Sequence, residues 1–155
     1  MRMGKGVEWA LHTLLNLHIA GGGPVGNGQL AAMHGLSATY LNKQLQLLVK
    51  AELLTSVPGA HGGFRLAKDI DKITLLDVVR AIEGDVRLFQ CAEIRCCGRA
   101  GEITPRPTEP CPIKTAMVRA EDAWRQALGA QTLAEIQSEL EQRPSIVSAV
   151  RGALG

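Results

Sequence analysis

With 155 residues, 46% apolar and 3% aromatic, the chain can build one aliphatic core and is too apolar to remain disordered. Its net charge of +2 is by itself a weak signal for nucleic acid. No apolar run reaches the roughly 18 residues of a membrane helix, and residues 11–20, broken by His12, Asn16 and His18, lack a small-residue cleavage pattern. The expected setting is therefore the cytoplasm, with no membrane partner, where thiols stay reduced.

Helical spacing of Val7, Ala10, Leu11, Leu14, Leu17 and Ile19 predicts a first helix over 6–19. Gly21-Gly22-Gly23-Pro24 closes it. A short helix fits 29–34, with Asn27 near its start and Gly35 as its stop. Ser37 is a good N-cap for a helix over 38–51. There Leu41, Leu45 and Leu48 share one face, leaving Asn42, Lys43 and Gln46 toward solvent or a ligand. Two helices about a glycine turn match a helix-turn-helix. A strand at 53–57, the turn Pro58-Gly59-Ala60-His61-Gly62-Gly63 and a strand at 64–66 follow. The combination reads as a winged helix, whose helix enters the major groove while the hairpin lies along the backbone or minor groove. An ordinary α+β domain with a hairpin fits the same pattern. Between residues 37 and 68, Lys43, Lys50, Arg65 and Lys68 face Glu52 alone, which suits a phosphate-binding face.

Thr74 caps a further helix with the stripe Leu75, Val78, Val79 and Ile82, ending at Gly84. Residues 85–110, rich in Gly, Pro, Arg and Cys, read as a long functional loop. Pro112 opens a long helix at its first turn, carrying Ala116, Met117, Ala120, Trp124, Ala127 and Leu128. Thr132 caps a last helix over 133–140, and a loose tail is expected from Arg143. The expected organisation is a winged helix-turn-helix at 1–84, a cysteine loop at 85–111, dimerisation helices at 112–141 and a flexible tail at 142–155. The fold class is mainly α with a small β-hairpin wing.

The four cysteines are Cys91, Cys96, Cys97 and Cys111. In a reduced setting, clustered thiols suggest zinc, copper(I) or iron–sulfur. Their C-x4-C-C-x13-C spacing is neither a zinc ribbon nor a ferredoxin run, and incidental thiols fit it as well. Glu8 and His12, one helical turn apart, suit either a metal chelate or an ordinary exposed pair. His18, His34 and His61 are weaker ligands by position. With no nucleophile elbow, phosphate loop or catalytic zinc motif, an enzyme is not expected.

Several stretches resemble, in order, the Rrf-type winged-helix transcriptional regulators, the family of the IscR, NsrR and RsrR sensors. The RsrR-like redox branch is the nearest match. These stretches are Gly6-Val7-Glu8-Trp9-Ala10-Leu11-His12, Ser37-Ala38-Thr39-Tyr40-Leu41-Asn42-Lys43, Gly59-Ala60-His61-Gly62-Gly63-Phe64-Arg65-Leu66, Ile73-Thr74-Leu75-Leu76-Asp77-Val78-Val79, Cys91-Ala92-Glu93-Ile94-Arg95 and Cys111-Pro112-Ile113. The resemblance reaches to about Leu140.

It implies a 2Fe–2S cluster on Glu8, His12, Cys91 and Cys111, with the first helix and the loop supplied by opposite subunits of a homodimer. The long helix from Pro112 would be the dimer's spine. Imidazole and carboxylate in place of thiolates would raise the cluster's potential, and reduction would couple to His protonation. The spacing departs from the family's three-cysteine members, because Cys111 stands fourteen residues after Cys97 rather than six. A 4Fe–4S site on Cys91, Cys97 and Cys111 with Glu8 or His12 therefore stays open, and Cys96 reads as a bystander. The implied function is a repressor on a pseudo-palindromic double-stranded DNA operator. It would touch DNA through Thr39, Tyr40, Asn42 and Lys43 and through His61, Gly62 and Arg65 of the wing. Trp9 would be either a moving switch or a core residue. Other readings are a cluster-free or zinc/thiol regulator answering a small molecule or partner protein, and a thiol-bearing electron carrier.

Overall fold

The molecule is described here by a computed structural model covering residues 2–103 and 106–155. Helix α1 (Lys5–Ile19) buries Ala10, Leu14 and Leu17, the stripe that its spacing predicts. Helix α2 (Asn27–Met33) and helix α3 (Ala38–Lys50) follow about the turn at Gly35. Ser37 caps α3, its hydroxyl accepting the Tyr40 N–H at 3.3 Å. Leu41, Leu45 and Leu48 are wholly buried.

Strands β1 (Leu54–Val57) and β2 (Gly63–Leu66) pair antiparallel, Leu54 opposite Leu66 and Val57 opposite Gly63. Val25 extends this hairpin by one bridge, exchanging two 2.9 Å backbone hydrogen bonds with Phe64. The close approach explains the paired glycines. A Cβ on Gly63, which has φ of 148°, would lie 2.3 Å from the Val25 carbonyl oxygen, and one on Gly62 would lie 2.0 Å from that of Val57.

Helix α4 (Leu75–Glu83) starts at Thr74, whose hydroxyl accepts from the Asp77 N–H while the Asp77 carboxylate accepts from the Thr74 N–H. The cysteine segment is more structured than the expected loop. It contains a 3-10 turn at Ile94–Cys96 and α5 (Gly98–Ile103), ahead of α6 (Pro112–Gly129). Helices α7 (Leu133–Glu141) and α8 (Pro144–Leu154) complete the chain.

The chain divides into two bodies. One comprises residues 2–85 and 128–155, the other residues 86–127. These bodies depart from the expected boundaries at two places. Helix α7, expected with the dimerisation helices, belongs to the first body: Leu133 is wholly buried and its N–H donates to the Ile73 carbonyl at 2.9 Å. The expected flexible tail is instead α8, which packs on α1 and α7 and buries Leu154. Pro144 suits the first turn, and Val147, Val150 and Leu154 fall on one helical stripe, of which Val150 and Leu154 join the core.

Candidate nucleic-acid interface and metal ligands

Asn27 braces the helix-turn-helix, its Nδ2 donating to the Ala38 carbonyl at 2.9 Å. With Leu41, Leu45 and Leu48 turned inward, α3 presents Thr39, Tyr40, Lys43 and Gln46 outward, and Asn42 is half-buried. In the wing, His61 and Arg65 are exposed and Gly62 is half-buried. The predicted contact set thus occupies one helix face and one hairpin, with phosphate-seeking cations on both. Gly6 was not foreseen as a constrained position. A Cβ there would meet the Gln44 Oε1 at 2.7 Å, so α1 seats directly on a buried side chain of α3. That Gln44 oxygen has no hydrogen-bond partner among the described residues.

Glu8 and His12 are both exposed on α1. The His12 ring lies 5.2 Å from that of His34, centroid to centroid. His34 in turn accepts, at Nε2, a 3.0 Å hydrogen bond from the Asn16 amide. With the amide nitrogen as donor, Nε2 supplies the lone pair, an arrangement that favours the neutral ring. The same direction follows from its surroundings: lost hydration and then the nearby His12 lower its pKa from the usual 6.5, against an opposing pull from Glu8. Trp9 is half-buried and meets Tyr40 edge-on, centroids 5.0 Å apart at 79°. One side chain thus joins the helix bearing Glu8 and His12 to the start of the recognition helix.

The thiols lie in the second body. Cys91 is half-buried, Cys96 and Cys97 are exposed and Cys111 is buried. Cys111 precedes α6, and the backbone N–H of Lys114 holds its thiol below the usual range, helped by the Ile113 N–H and the Arg95 guanidinium; burial and Glu93 oppose them. The Cys97 thiol donates to the Glu93 carbonyl at 4.0 Å. Glu121 is buried on α6. It pairs with Arg125 at 3.0 Å and accepts the Leu88 N–H at 3.1 Å, fastening the segment after Val86 to the helix.

The expected metal ligands are therefore divided, Glu8 and His12 in one body and Cys91 and Cys111 in the other. Among the described residues, no three His, Cys, Asp or Glu side chains gather as a metal centre. Nor is any helix long and apolar enough to cross a membrane.

A helix-turn-helix with a glycine-bound wing defines a winged-helix DNA-binding protein. The Rrf2 model, described as an iron-dependent transcriptional regulator, matches residues 3–139. The chain belongs to the Rrf2 family of transcriptional regulators. It is 33% identical over 122 residues to the rrf2 protein of Nitratidesulfovibrio vulgaris, covering 78% of this chain and 76% of that one. To the HTH-type transcriptional regulator IscR of Sodalis glossinidius it is 32% identical over 92 residues, 59% of this chain and 56% of the other. Among solved structures, CymR, the global cysteine regulator of B. subtilis, superposes with a TM-score of 0.66 at 25% identity, covering 90% of this chain and 98% of CymR.

Proposed function

We propose that this regulator represses transcription in the cytoplasm as a homodimer on a pseudo-palindromic operator, and that a 2Fe–2S cluster on Glu8, His12, Cys91 and Cys111 sets its grip on DNA. The donor chemistry fits. Thiolate is the usual iron–sulfur ligand and imidazole an attested replacement, and Cys111 is already biased toward thiolate by the amides of α6. Cys97 is the poorer candidate, since its thiol is engaged with the carbonyl of Glu93 in its own turn. When bound, such a cluster supplies a one-electron change of charge.

The chain's own part is to carry a change at α1 to the DNA-reading surface. The edge contact of Trp9 with Tyr40 is the observation that carries this reading. Tyr40 is 46% exposed, so its hydroxyl end is free for a phosphate while its ring rests on Trp9. A shift of Trp9 moves the support of that ring. His34, beside His12 and bound by Asn16, leaves a protonatable ring next to the ligand face. Helix α6, with Ile113 and Met117 exposed, supplies an apolar face for a second copy.

The test begins with protein prepared without oxygen, whose visible absorption is recorded. Duplexes selected from random sequence by the protein then serve in gel shifts with the oxidised and dithionite-reduced forms. The oxidised form is expected to bind more tightly by about 1–3 kcal/mol, or roughly 5- to 150-fold. A colourless protein, or equal affinities, ends the proposal.

A further inference from the structure

The buried residues of α3, Leu41, Gln44, Leu45 and Leu48, define the inner side of that helix. At about 100° per residue, the direction opposite their centre falls on Thr39, Lys43 and Gln46, which share about 60° of arc and are all exposed. Tyr40 stands about 90° round from this outward pole, on the flank where Trp9 of α1 meets it. Asn42 is half-buried at the other edge. Gln46 is thus nearer the centre of the outward face than Tyr40, although the predicted contact set stops at Lys43. Thr39, Asn42, Lys43 and Gln46 stand at i, i+3, i+4 and i+7, the spread of side chains that one helix lying in a major groove brings to base edges. From Ala38 at the start of α3 to Gln46 is about 12 Å along the axis, no more than the width of that groove. Among the described residues, no hydrogen bond engages the Gln46 amide. Its oxygen and its NH2 group can therefore both be given to one partner.

We propose that Gln46 is a specificity-determining residue that reads an adenine in each operator half-site from the major groove. Its NH2 group donates to adenine N7 while its oxygen accepts from the N6 amino group, a pairing that no other base completes. Asn42 lies one turn earlier, about 6 Å along α3. At about 3.4 Å per base step, the adenine under Gln46 therefore lies about two base pairs from the base under Asn42. Tyr40, on the flank, holds a phosphate and adds no discrimination at that pair. This assignment rests on the operator-binding reading above and is independent of the cluster.

The experiment uses the full-length oxidised protein, prepared without oxygen, and the duplex that it enriches from a random pool. Each base pair of one half-site is changed in turn and the affinities are read by gel shift. One A·T pair, about two pairs from the one whose preference is lost in Asn42→Ala, is expected to weaken binding about 5- to 150-fold when replaced. Gln46→Ala should bind the four bases at that pair alike and keep its discrimination elsewhere. Gln46→Arg should move the preference there to guanine. Both variants should unfold in urea as the unaltered protein does, because the side chain is exposed. Two results would overturn the assignment and leave operator binding standing. One is a Gln46→Ala protein with every base preference intact. The other is a uniform weakening on all duplexes, unselected ones included, which is the mark of a phosphate contact. A protein that enriches no sequence would overturn the operator and this assignment together. Loss of the preference in Gln46→Ala alongside equal oxidised and reduced affinities would end the cluster switch and leave Gln46 as the reader.

Discussion

In the body made of residues 2–85 and 128–155, Leu14, Leu41, Leu45, Leu48, Leu53 and Leu133 are each 2% exposed or less. In residues 86–127 the buried side chains, among those described, are Cys111 and Glu121, while Leu88, Ile94, Ile103, Ile113 and Met117 lie open. The first region is held by its own apolar contacts. The second is held by an ion pair, backbone hydrogen bonds and a helix whose apolar stripe leaves Ile113 and Met117 open. A stripe of that kind is stable in water once another surface covers it. The winged helix is thus a self-sufficient scaffold, and the cysteine segment with α6 is the part whose order depends on what joins it.

The sharpest way to break this contrast is to damage each region equally and compare. Leu45→Ala empties a wholly buried site beneath the recognition helix. It is expected to cost about 2–5 kcal/mol in urea unfolding of the first region. Met117→Glu, at a side chain 44% exposed, should leave that unfolding within about 0.5 kcal/mol. Its effect should appear in sedimentation, as a dimer weakened tenfold or more, about 1.4 kcal/mol. A dimer of undiminished affinity would show that α6 is not the surface where copies meet.

A finer comparison concerns coupling. Trp9→Ala removes the edge contact with Tyr40, worth about 0.5–1.5 kcal/mol for an aromatic pair. Gel shifts should show the gap between oxidised and reduced protein narrowing by that amount, with the visible spectrum unchanged. An undiminished gap would mean that the signal travels by another contact, the seat of Gly6 on Gln44 being the obvious one.

The two regions also differ in how much of them is legible from residue order. The recognition helix is local chemistry: a serine cap, three leucines on one face and a glycine turn before it. The caps at Thr74 and Thr132 are equally local, each answered by an acid three residues on. Helix α8 was missed because its stripe has meaning only against α1, far away in sequence. Glu121 shows only its local pair with Arg125 in the sequence, because Leu88 and Arg87, its other partners, lie more than thirty residues back. The Asn16–His34 bond spans 18 residues, and its cue, a buried asparagine one turn after His12, resembles any polar interruption of an apolar helix. Of the proposed ligands, only Glu8 and His12 announce themselves by spacing. The thiols share no element with them, and the resemblance to a family, not periodicity, joins the two halves.

That hidden asparagine supports the smallest of the expected effects, which is specific to the first region. Burial and the nearby His12 lower the His34 pKa in the fold below 6.5, whereas the unfolded chain returns it to the ordinary value. Between those values the unfolded state binds more protons than the folded one, so stability rises with pH. Acidification from neutrality should therefore cost stability as pH passes 6.5 and drops through the folded value, below which the slope flattens. Urea unfolding of iron-free protein between pH 7.5 and 5 will read this slope. Glutamine at 34 keeps a polar group facing Asn16 without a titrating ring, so His34→Gln should flatten the curve by this residue's share while changing stability little at pH 7.5. An identical pH slope in both proteins would mean that folding leaves the His34 pKa where the unfolded chain has it, so that the Asn16 contact does not favour the neutral ring.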